Sequence, residues 1–156
     1  MDTVKVSKFI SCSSSEALAL AMNPELIAEE MPDIKSANIL KKEKIDGCSV
    51  QTVSWKGILE AGPIRKDLNW IEEDVWNLDS KICEFSQVEG SFKVYKGSWI
   101  FEDSGDGCES SVVLEYDAGV PLVGPLIKKL IKKVVIKNLE ALLNALAQVA
   151  EKNERN

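Results

Sequence analysis

Histidine is absent from all 156 residues. Its absence excludes His-based triads, imidazole acid–base catalysis and His-bearing metal sites. Any chemistry therefore falls to carboxylates, Lys, Tyr, Cys or Arg. Arginine is scarce as well: Arg65 and Arg155 stand against seventeen lysines. The four cysteines, Cys12, Cys48, Cys83 and Cys108, are widely separated and form no C-x-x-C pair. That spacing fits neither a zinc nor a redox motif, so free thiols in a reducing cytoplasm are expected, with no metal site and no cofactor. Excess positive charge is missing too. The formal net charge is −6, and nucleic acid, which needs a basic footprint, is not an expected partner. No segment reaches the roughly 18 apolar residues of a membrane span. The most apolar stretch, 120–135, is interrupted by Pro121, Pro125 and four lysines. The opening MDTVKVSKFI lacks the charged and then apolar pattern of a signal peptide.

What is present is ordinary globular material: 45% apolar and 28% charged residues, suited to one domain with a real core. Residues 2–11 alternate loosely and read as a strand. Ser13 with Glu16 three residues on fits a capping box, opening a short helix from about Ser14 to Met22. Asn23-Pro24 interrupts it, and a second short helix runs to about Glu30 before Met31-Pro32. From Asp33 to Val113 the period is two. Strands are expected at Ser36–Glu43, Cys48–Lys56, Ile64–Val75, Trp76–Phe85, Ser91–Glu102 and Ser110–Asp117. Asp46-Gly47, Gly57, Gly62-Pro63, Glu89-Gly90 and Ser104-Gly105-Asp106-Gly107 mark turns between them. A phase slip from Phe92 and Val94 to Trp99 and Phe101 suggests a bulge near Gly97.

The period then changes to three and four. From Pro121 or Leu122 to about Glu151, Ile131, Val135, Leu139, Leu142, Leu146 and Val149 form one stripe, widened by Leu130, Val134 and Leu143. The reading is a single α+β domain over residues 1–152, with 153–156 as a disordered tail. Seven strands form a curved antiparallel sheet around the long C-terminal helix, and two short helices follow the first strand. A sheet that wraps one helix leaves a gap where a cavity can sit.

In that element order the chain resembles the START-like (SRPBCC) superfamily, and within it the polyketide cyclase/dehydrase and coenzyme-Q-binding group. The resemblance also rests on Met31-Pro32-Asp33-Ile34, Val88-Glu89-Gly90-Ser91-Phe92, Gly97-Ser98-Trp99-Ile100-Phe101-Glu102 and Gly107-Cys108. It implies a helix-grip fold with a deep apolar cavity that takes lipids, sterols, quinones or polyketides. It supplies no universal catalytic motif, so no catalytic residue is assigned.

The aromatic residues are the first candidates for the cavity wall: Trp55, Trp70, Trp76, Phe85, Tyr95, Trp99, Phe101 and Tyr116, with Leu114 on the last strand and Leu130 and Val134 on the helix. They offer large apolar area and a few N–H or O–H handles, although ordinary core packing uses the same residues. Arg65, at a strand start, would suit a carboxylate or phosphate at a cavity mouth, or else is a surface charge. Lys128, Lys129, Lys132, Lys133 and Lys137 form a basic face that suits an anionic membrane or a partner, or simply water. Glu72, Asp79, Glu115 and Asp117 would matter for acid–base work only if one faced inward with a raised pKa. The leading expectation is a non-catalytic carrier of an apolar lipid, quinone, isoprenoid or polyketide-like molecule, with peripheral membrane contact. A cyclase- or dehydratase-type enzyme, or an interaction protein using the basic helix, is the alternative. The oligomeric state is left open.

Overall fold

The computed structural model describes residues 1–119 and 124–155. Strand β1 covers Asp2–Ile10, helix α1 Ser14–Ala21 and helix α2 Pro24–Glu29. Strands β2 to β7 follow at Ile34–Ile45, Cys48–Ala61, Ile64–Asn77, Ile82–Gly90, Val94–Ser104 and Gly107–Asp117, and helix α3 is Pro125–Arg155. Ser13 caps α1, its side chain accepting from the Glu16 amide at 3.1 Å, and Pro24 starts α2, where no amide is needed.

The seven strands form one antiparallel sheet in the order β1-β7-β6-β5-β4-β3-β2. Short turns make each hairpin from β2 to β7. At the first, Asp46 and Gly47 both have positive φ, the geometry that matches strand twist. The α1–α2 segment carries the chain from edge strand β1 to the opposite edge, β2. Helix α3 then lies in the hollow of the curved sheet, touching β1, β3, α1 and α2. This is the helix-grip architecture, built around Ile131, Val135, Leu139, Leu143, Leu146 and Val149 of α3, all buried.

Several boundaries differ from the sequence reading. Strand β3 does not stop at Gly57 but continues to Ala61, because β4 pairs with its whole length, from Ser49↔Trp76 to Ala61↔Ile64. Trp76 belongs to β4, which ends at Asn77, rather than opening β5. The alternation Trp76, Leu78, Ile82 crosses a turn in which Leu78 is 52% exposed. No register shift occurs at Gly97. Tyr95, Gly97, Trp99 and Phe101 share one unbroken phase, while Phe92 precedes the strand and Val94 belongs to the other face. Gly97 instead permits a close approach: a Cβ there would fall 2.0 Å from the Val113 carbonyl oxygen and 2.8 Å from the Phe85 ring. The register shifts lie in β2 and between Ile71 and Glu72 of β4. The helix start expected at Pro121 or Leu122 lies outside the described residues. At its other end α3 runs to Arg155, past the helix end expected at about Glu151.

Candidate functional site

Strand β4 is the centre of the site. Its even-numbered residues face α3, so Leu68, Trp70, Glu72, Asp74 and Trp76 are buried along one line. The hydrophobic phase thus carries two carboxylates into the interior. Across the ladder, Trp55 stands opposite Trp70 and Gln51 opposite Asp74. The Trp55 and Trp70 rings stack at 5.9 Å. Tyr95 packs on Trp70 at 5.6 Å and on Phe85 at 5.7 Å, and Trp76 lies 6.0 Å from Trp99.

These side chains enclose a cavity of about 110 Å³ between the sheet and α3. Trp55, Trp70, Trp76, Phe85, Tyr95, Trp99, Leu114 and Tyr116 line it, as do Val135, Asn138, Leu139 and Leu142 from the helix. Pro24 and Ile27 of α2 and Ile34 at the start of β2 complete the wall on that side. Four other candidates are placed elsewhere. Phe101 packs behind the wall on Trp76 and Trp99. Leu130 reaches the β3–β4 turn at Gly62, and Val134 is a half-buried neighbour of the core. Arg65, outward in phase, is exposed and pairs with Glu60.

The polar groups of the wall divide into satisfied and unsatisfied. The Trp99 indole donates to Ser110 Oγ at 2.7 Å, and the Trp70 indole to Glu72 Oε1 at 3.1 Å. The indole nitrogens of Trp55 and Trp76, the Tyr116 hydroxyl and Oδ1 of Asp74 are buried and receive or donate no N–H or hydroxyl hydrogen bond. Natural interiors leave few such groups, and here four lie around one cavity. Glu72 and Asp74 are hydrogen-bonded to each other. Burial, and then the Asp74 charge, hold the Glu72 carboxyl well above the usual range. Burial pushes Asp74 up to about 6, the Glu73 charge adds to this, and the hydrogen bond from Glu72 opposes it. Burial and then both carboxyls push the Tyr95 phenol up, and burial and then the Asp2 charge push Tyr116 up to about 12.

The other candidate carboxylates do not enter the cavity. Glu115 lies 3.8 Å from Lys96 on the outer face, Asp117 accepts from the Gly119 amide, and Asp79 sits in the β4–β5 turn. Asp74 was missed on sequence, although it shares the phase of Leu68, Trp70 and Trp76. All four cysteines are free thiols, and Cys83 lines the cavity. Among the described residues no three His, Cys, Asp or Glu side chains group as a metal site, and no helix is long and apolar enough to cross a membrane. Lys128, Lys129, Lys132, Lys133 and Lys137 are all exposed on α3, and Leu126 nearby is 70% exposed.

Residues 10–143 match the family described as polyketide cyclase / dehydrase and lipid transport. The chain belongs to this family. A protein from Thermus thermophilus superposes with a TM-score of 0.87 at 24% identity, covering 97% of this chain and 99% of that one. An aromatase/cyclase from a Streptomyces species gives 0.75 at 15% identity, covering 97% and 94%. A START superfamily protein from Mycobacterium smegmatis gives 0.74 at 20% identity, covering 96% and 97%. At these identities the likeness is one of fold. No curated protein matches the chain in sequence.

Proposed function

We propose that this chain binds an apolar small molecule in the cavity between sheet and α3, as a carrier or binding protein. The supporting observation is the wall itself: apolar and aromatic nearly throughout, yet holding unpaired indole N–H groups at Trp55 and Trp76 and an unpaired hydroxyl at Tyr116. Apolar area supplies affinity at about 25 cal/mol per Å² before the costs of binding. The unpaired groups supply orientation, since a ligand oxygen beside them restores hydrogen bonds the empty protein lacks. A cavity of about 110 Å³ accepts a small ring; a longer lipid or quinone requires α3 or α2 to shift outward. The test is mass spectrometry of an organic extract from protein purified natively without detergent. A stoichiometric apolar compound, absent from a mock purification, supports the carrier reading. An empty extract, together with no binding of neutral aromatic probes, contradicts it.

The buried Glu72–Asp74 pair favours a second reading, acid–base catalysis of the cyclase or dehydratase type. That reading needs an inward carboxyl with a raised pKa, and Glu72 meets the requirement. Arg65, its other expected participant, is on the surface. Turnover of a bound ligand that is lost in Glu72→Gln while binding persists would establish it. The five exposed lysines of α3 support docking on an anionic membrane, for which sedimentation with anionic against zwitterionic vesicles is the measurement.

A further inference from the structure

Among the described residues lining the cavity there are two carboxyls and no lysine or arginine, and the chain has no histidine. Lys66 has the inward phase of β4, but its ammonium donates to the carbonyls of Ser91 and Ala118 at 3.3 and 3.1 Å and does not line the cavity. The interior charge of Glu72 and Asp74 thus has no buried cation against it. A fatty acid or phospholipid headgroup entering here would place a second anion beside the pair with nothing to neutralise either. Around the pair stand the rings of Trp55, Trp70, Trp76, Phe85 and Tyr95. Aromatic faces beside a carboxylate form the environment that attracts ammonium groups.

Building on the cavity-binding reading, we propose that the ligand is an apolar molecule bearing a protonated amine, its ammonium held against Glu72 and Asp74 among the rings of Trp55, Trp70, Trp76 and Tyr95. The ammonium supplies the missing cation. It donates to Asp74 Oδ1, which has no N–H or hydroxyl donor, and its attached carbons fill the apolar remainder. The unpaired indole N–H groups of Trp55 and Trp76 and the Tyr116 hydroxyl are left for an oxygen elsewhere on the ligand. The net charge of −6 favours approach of cations and disfavours anions.

Binding is linked to protons. The titratable groups facing the pair are Tyr95 from β6 and Cys83 from β5, both neutral at physiological pH since burial raises them; Glu73, on the outward phase of β4, adds its charge from the other face; Gln51 and Trp55 from β3 and Asn138 from α3 do not titrate. Asp74, raised to about 6, must be ionised to receive a cation, so amine affinity rises with pH from 5 to 8.

The experiment compares three probes that share one ring: benzylamine, benzyl alcohol and benzoate. Each is titrated against tryptophan fluorescence and by calorimetry at pH 5, 6 and 8. The expected result at pH 8 is roughly tenfold or greater preference for benzylamine over benzyl alcohol, no benzoate binding, and a weaker benzylamine affinity at pH 5. Asp74→Asn, alone and combined with Glu72→Gln, abolishes the preference of amine over alcohol. Benzyl alcohol binding as tightly as the amine, or a preference that survives both substitutions, overturns the amine assignment and leaves the apolar cavity standing. Failure of all three probes to bind overturns the cavity reading with it.

Discussion

Trp76 and Trp99 lie 6.0 Å apart and differ in what their N–H groups meet. Trp99 donates to Ser110, whereas Trp76 has no acceptor. Trp99→Phe leaves the buried Ser110 hydroxyl unpaired and is expected to cost about 1–3 kcal/mol. Trp76→Phe removes a group that has no partner, so its cost is expected to be smaller, while affinity for an oxygen-bearing ligand falls. Urea denaturation of both variants, with probe titration, separates the two roles. Equal destabilisation would contradict them. At the carboxyl pair the sign of the pH effect is unusual. Unfolded Asp and Glu titrate near 3.9 and 4.3, while in the fold Asp74 titrates at about 6 and Glu72 is also raised. Between those values the folded chain holds protons that the unfolded chain has released. The pair therefore favours folding most at low pH, and this contribution is lost as pH rises through the unfolded pKa values towards the folded ones. Melting temperatures from pH 4 to 8 should fall less in Glu72→Gln than in the parent, and at pH 8 the variant should be the more stable. A parallel pH dependence in the two would contradict the buried pair. Glu72 was visible in the sequence as a candidate; Asp74 was not singled out, although the alternation Leu68, Trp70, Trp76 fixes its direction. The same alternation turns Arg65 outward.

Helix α3 supports two functions with adjacent residues. Leu143 is 1% exposed and lies in the core, while Leu142 is half-buried and lines the cavity. Leu143→Ala should cost about 2–5 kcal/mol. Leu142→Ala should cost less, because its side chain already borders open space, and should admit a larger ring. Chemical denaturation and binding of graded aromatic probes check both halves. The helix stripe was legible because its period of three and four extends over many turns. Strand ends were less legible: the Trp76, Leu78, Ile82 alternation runs on through a turn where Leu78 is 52% exposed. The phase slip near Gly97 was likewise real in the sequence, but its cause is the loop residue Phe92 and the outward Val94, not a bulge. At the N-terminal end, Ser13→Ala removes the side-chain acceptor of the Glu16 amide and should destabilise by about 1 kcal/mol.

On the scale of the whole molecule, element order and fold were readable because sheet and helix carry different hydrophobic periods, and the six strands β2 to β7 run on without a helix until the long stripe of α3. The container could be read this way; its polar fittings could not. Whether an indole finds a partner depends on register between strands distant in sequence, as for Trp99 and Ser110, and a single sequence does not print that register. The net charge of −6 and the five exposed lysines of α3 also separate at this scale: an acidic body carries one basic helix face. The central claim is that the space between sheet and α3 is a binding site for an apolar molecule. The most direct measurement is titration with a neutral, environment-sensitive aromatic probe, comparing the parent with Leu142→Trp, whose larger ring fills the cavity. Saturable binding at one site per chain, lost in a folded Leu142→Trp protein, is the predicted result. Binding that does not saturate, or that persists unchanged in Leu142→Trp, would contradict it.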